Sequence, residues 1–115
     1  MKNSKFDLFK KECKKWQKEF GLFNWDISFA FCELDRSIGA QTQADWEAKT
    51  SLLTLNSANI EKVTLKEIKQ YALHEILETM LTGLYHLAES RNHSNQNMNA
   101  EMHNIIRIFE KVLLK

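Results

Sequence analysis

Tyr71–Leu81 reads YALHEILETML, and taking it as a helix decides how the rest of the chain is arranged. At helical spacing Leu73, Ile76 and Leu77 form an apolar side, while His74 and Glu78, one turn apart, point together from another. Glu75 is turned from His74 by about 100° and flanks that pair. Upstream, VTLKE places Thr64 three residues before Glu67, a capping-box pattern that marks the helix start. The apolar pattern predicts a helix running to the region of Ala88, with Gly83 loosening its last turns.

Before that helix the period changes to two. WDISFAF alternates Trp25, Ile27, Phe29 and Phe31 against Asp26, Ser28 and Ala30, the pattern of a half-buried strand. After a polar break, ELDRS, the segment from Ile38 to Ala48 alternates Ala40, Thr42, Ala44 and Trp46 against Gln41, Gln43, Asp45 and Glu47, a second strand. KTSLLTLN supplies a third around Leu52 to Leu55, close enough to pair as an antiparallel hairpin. Further upstream, Phe9, Cys13, Trp16 and Phe20 recur at helical spacing and Gly21 is a natural stop. Lys10, Lys11, Lys14, Lys15 and Lys18, with Asp7, Glu12 and Glu19, make the remainder of that helix a solvated face. After Ala88, RNHSNQNMN reads as a polar loop. A last helix runs from about Ala100 to Leu114, with Met102, Ile106, Phe109 and Leu113 on one stripe and Ile105 and Val112 beside it. The expectation is one α+β domain over residues 1–115: an N-terminal helix, a small, largely antiparallel three-stranded sheet, the HEILE helix and a C-terminal helix.

Composition narrows the function classes. The 115 residues carry a net charge of +1, which argues against field-driven binding to nucleic acid or an anionic membrane. No apolar run approaches the roughly 20 residues that span a bilayer. The lysine-rich opening lacks the continuous apolar segment of a secretory signal, so a cytoplasmic protein is expected. Cys13 and Cys32, without C-x-x-C spacing, read as reduced core or near-core thiols. Trp25 and Trp46 read as core residues.

The chemistry concentrates in HEILE. Zinc hydrolases use H-E-x-x-H, in which two histidines hold the ion and the glutamate acts as general base. Here Glu78 stands in the last position, and a carboxylate oxygen ligates zinc at about 2.0–2.2 Å, close to the imidazole distance. A third ligand must come from elsewhere. His86 is rotated by about 120° from His74 on a continuous helix and joins only if the helix breaks at Gly83. His93 lies in the polar loop. His103 stands at the start of the last helix, which packs back antiparallel, and is the preferred third ligand; Glu101 and Asn104 are its neighbours in register. The longer H-E-x-x-H-x-x-G-x-x-H pattern fails, because Gly83 and His86 each come two residues too late. Tyr85, on nearly the same face as Glu78, is placed to donate to an oxyanion, although a packed aromatic with a wet hydroxyl is its commoner use. A His–Glu pair on an amphipathic helix is by itself an ordinary surface feature. Its position after a hairpin, in a capped helix with a histidine downstream, favours a site.

Three segments, WQKEFGLFNW (Trp16–Trp25), ALHEILE (Ala72–Glu78) and FEKVLL (Phe109–Leu114), together resemble a family of small zincin-like metallopeptidases of phage and prophage genomes. The resemblance covers nearly the whole chain, and only ALHE is chemically specific. In that family the motif is H-E-x-x-H and the third ligand is a glutamate near the start of the last helix. The resemblance implies an exchange: Glu78 for the second histidine and His103 for the glutamate, preserving a His₂Glu set. It implies Zn2+ held by His74, Glu78 and His103, Glu75 activating water for attack on a peptide bond, and a peptide or protein substrate. It equally allows a catalytically lapsed scaffold that binds and blocks a host protein, within a bacterial cytoplasm if the gene is phage-borne.

Overall fold

The structure is a computed structural model that describes residues 3–89 and 95–114. The first helix, α1 (Ser4–Glu19), starts at Asn3, whose side-chain oxygen accepts from the amides of Lys5 and Phe6. It ends in a Schellman closure: Gly21, at φ +68°, donates to Lys18, and Leu22 donates back to Gln17. Phe9, Cys13 and Trp16 are buried as their spacing predicts. Glu12 departs from the solvated face expected of it: it is buried, 3.7 Å from Lys15.

Three strands follow: β1 (Asp26–Cys32), β2 (Ala40–Asp45) and β3 (Thr50–Asn56). β2 and β3 pair antiparallel as expected, but the sheet is not largely antiparallel: β3 lies in the middle and pairs parallel with β1. The reason is visible in β3 itself. Ser51, Leu53, Thr54, Leu55 and Asn56 are buried from both faces, a central-strand environment, whereas β1 and β2 keep exposed positions. The chain must therefore leave β1, pass the end of β3 and begin β2 two places away. Asn56 staples that passage. Its amide donates to the carbonyls of Asp35 and Ile38, and its oxygen accepts from the amides of Leu34 and Ala58. All four hydrogen-bonding positions of a buried side chain are thereby filled.

Phe29, Leu53 and Thr42 share one rung of the sheet, and their face is the one the helices cover. Phe6 and Phe9 of α1 meet Phe31 and Phe29. A short 3-10 turn (Ile60–Lys62) leads to α2 (Leu65–Glu89), opened by reciprocal Thr64–Glu67 hydrogen bonds as the capping box predicts. Ile68, Ala72, Leu73, Ile76 and Leu77 of α2 join Phe9, Cys13, Leu53, Leu55 and Ile106 in one core; full burial of each large aliphatic side chain contributes about 1.5–3 kcal/mol. The helix continues through Gly83 without a break.

α3 (Asn95–Leu113) packs along α2 and begins earlier than the sequence pattern suggests, so Asn95–Asn99 of the expected loop are helical. The rest of that loop, Arg91–Ser94 with His93, lies outside the described residues. On the expected apolar stripe Ile106 is fully buried and Phe109 is 40% exposed. Trp25 is buried, but Trp46 lies outside the core, half-buried against His86 and Lys49. Both cysteines are free; burial, aided by Glu75 and Glu12, pushes the Cys13 thiol well above its usual value, whereas Cys32 is exposed at the end of β1. Among the described residues no helix is long and apolar enough to cross a membrane.

Candidate metal centre

The antiparallel packing of α2 and α3 brings His74, Glu78 and His103 together. His74 Nε2 stands 3.5 Å from Glu78 Oε2, and His103 Nε2 stands 3.6 Å from Glu78 Oε1. The two imidazole rings stack with centroids 5.5 Å apart. One ligand atom from each residue lies within 4.8 Å of the others, a group that could hold a metal ion. Ligand atoms at about 2.0–2.2 Å from a tetrahedral ion stand about 3.3–3.6 Å from one another. Each imidazole nitrogen stands at about that edge from one Glu78 oxygen, His74 from Oε2 and His103 from Oε1, and the three ligand atoms fall within 4.8 Å of one another. The donor set, two imidazoles and a carboxylate, also suits zinc.

His86 is not part of this group. On the unbroken helix it faces the hairpin turn, where its ring stacks on Trp46 and Nε2 is 3.7 Å from the exposed Glu47. Glu101 lies in α3, but its side chain is outside the description. Tyr85 lines a separate cavity with Trp46, Thr82 and His86. Its suggested role at an oxyanion does not follow from this placement.

Glu75 points into the sheet side. It is 3% exposed, and its Oε1 accepts a 2.7 Å hydrogen bond from Thr42 of β2. Burial pushes its carboxyl well above the usual carboxylate range; the adjacent Glu78, through its charge and a shared hydrogen bond, adds to the rise, Thr42 opposes it and Glu110 adds a little. A cation beside Glu75 would oppose that rise. Beneath it Thr79 donates to the Glu75 carbonyl and meets Ser51 at 2.9 Å, so a small polar column links the sheet to this turn of α2.

Sequence reasoning missed Glu110, which approaches His74 Nδ1 at 2.7 Å and is nearly buried. With Nδ1–H donated to Glu110, the lone pair sits on Nε2, the nitrogen that faces Glu78. The signal was present: Glu110 is seven residues after His103, two turns along the same face of α3. FEKVLL drew attention to its apolar residues instead. Tyr71 was missed as well. It lies one turn before His74 and lines the cleft beside Glu75, its ring held so close to Gly39 that a Cβ there would fall 2.5 Å from it. A side chain at that point of the β1–β2 passage would displace the Tyr71 ring. The chain matches no protein-family model, no curated protein and no solved structure.

Proposed function

We propose that the chain is a zincin-like, zinc-dependent metallopeptidase. The observation that carries this reading is the spacing of the candidate ligand atoms of His74, Glu78 and His103. When bound, zinc supplies a Lewis acid and lowers the pKa of water toward neutrality. Glu75, held by Thr42 and adjacent to Glu78, takes the proton from water during attack on a peptide carbonyl and returns it to the leaving amine. β2 is an edge strand of the sheet, and its start at Ala40 lines the same cleft as Tyr71, His74 and Glu75. An extended peptide pairing with that edge would lie across the site. Free thiols at Cys13 and Cys32 suit the reducing cytoplasm in which the protein is proposed to act.

A second reading rests on Glu75 itself. A general base this enclosed, its carboxyl pushed well above the usual carboxylate range by burial, also fits a scaffold whose catalysis has lapsed and which binds a host protein. Glu75→Gln separates the two. Protein purified without chelator should carry about one zinc per chain by elemental analysis. In an enzyme the variant keeps that zinc and loses peptide hydrolysis by about 100-fold or more. A blocking protein would bind its target equally well with either residue. Metal-free protein with undiminished thermal stability would remove the proposal.

A further inference from the structure

His74 stands where two cavities meet, and their linings carry opposite charge. Toward β2, a cavity of about 420 Å3 contains Glu67, Glu75 and Glu110, with neither lysine nor arginine among the described residues that line it. Toward α3, a cavity of about 560 Å3 contains Lys66, Lys69, Arg107 and Lys111. Gln70, His74 and Glu110 belong to both. The whole chain has a net charge of only +1, so four cations around one cavity are a local concentration rather than the sign of a basic protein. Glu110, the one acid among the described residues of that lining, is already bonded to His74.

We propose that the basic cavity receives a carboxylate of the peptide that lies across His74, so that this charge asymmetry selects the substrate and sets its direction. The inference rests on the peptide reading above. The carboxylate is either the terminal one or that of an aspartate or glutamate side chain. Attraction to Lys66, Lys69 and Lys111 draws it to the α3 side, and repulsion from Glu67, whose carboxyl is held below its usual value, keeps it out of the β2 side. Leu114 adds an apolar contact for the carbon chain that bears it.

The test is peptide binding rather than turnover. Four oligoalanine peptides with a neutral coumarin label serve as probes: one with a free terminal carboxylate, one amidated, one amidated with a single glutamate and one amidated with a single lysine. Anisotropy titrations at low salt use both zinc-loaded and chelator-treated protein, with zinc content measured on the same samples. One of the two carboxylate peptides, or both, should bind about tenfold tighter than the lysine peptide in both samples. Which of them gains identifies the source of the carboxylate. Lys66→Glu/Lys69→Glu/Lys111→Glu should reverse the order, and the corresponding triple glutamine variant should level it. All three lysines are exposed, so folding, checked by circular dichroism, is retained. Equal binding of the four peptides to the native protein, or an order unchanged in both variants, would overturn the inference. A preference that persists in protein unable to hold zinc would uphold it while the metal reading fails; zinc without any preference would do the reverse.

Discussion

His74 and His86 stand on the same helix, each opposite a glutamate and each stacked on a ring, yet only one of them joins a cluster. His74 meets Glu110 at 2.7 Å with side chains 26% and 11% exposed, and its ring lies on His103. His86 is 3.7 Å from Glu47 with side chains 50% and 77% exposed, and its ring lies on Trp46. Water solvates the second pair, and exposed pairs of that kind contribute about 0–1 kcal/mol. Around His74 the carboxyl groups of Glu75, Glu78 and Glu110 converge where little water reaches, a grouping that repels itself until a proton or a cation is present. α2 supplies both histidines. The element packed over each decides its use: a second helix with donors two turns apart in one case, a hairpin turn in the other.

The comparison breaks most sharply on metal. Zinc at about 100 times its Kd should add about 2.7 kcal/mol to the folded state, a rise in Tm of about 10 °C for a chain of this length. Calorimetry with and without zinc should show that rise in the native protein and in His86→Ala, and none in His74→Ala. If His86→Ala abolishes the rise and His74→Ala keeps it, the site lies at the hairpin end and the contrast is inverted.

Glu110 and Glu47 sharpen the same contrast at smaller scale. Glu110→Gln removes the carboxylate that holds the Nδ1–H tautomer of His74, so zinc affinity in competition with a chromogenic chelator should fall by about 10–100-fold. Nitrogen NMR of the imidazoles should show the fixed Nε2 lone pair of His74 giving way to a tautomer mixture. Glu47→Gln should leave affinity and tautomer unchanged, because the exposed Glu47 stands 3.7 Å from His86, at the hairpin end of the helix. Equal losses in the two variants would mean that overall negative charge, rather than orientation of His74, governs binding.

Local signals explain why the sequence reveals some of this arrangement and hides the rest. The helix through HEILE, its Thr64–Glu67 start and the β2–β3 hairpin are written in residues close in the chain, and each forms where its pattern lies. The parallel β1–β3 pairing depends on which strand both neighbours leave in the middle, and that choice is sealed by Asn56 bonding across more than 20 residues. His103 could be proposed for the site because it is a lone histidine on a helix expected to fold back. Glu110 and Thr42 looked like one more charged helix residue and one more alternating strand residue. Their roles arise only when α3 and β2 are laid against the same turn of α2.

The smallest effect is expected where the helix carrying both histidines begins, far from either. Thr64→Ala removes the hydroxyl that accepts from the Glu67 amide and donates to its carboxylate. The loss of such a cap should lower Tm by about 4 °C while zinc affinity stays as it was. Hydrogen bonds from the Thr64 amide and hydroxyl hold the Glu67 carboxyl below its usual value. A folded value below the unfolded one means that the stabilisation is present above about pH 4.5 and is lost as pH falls through the folded value. Thr64→Ala, keeping only the amide bond, should lose less stability on acidification than the native chain does. If Tm and its acid limb are both unchanged in the variant, the packing of Ile68, Ala72 and Leu73 alone fixes the start of the helix. The two histidines would then be positioned by the core rather than by the cap.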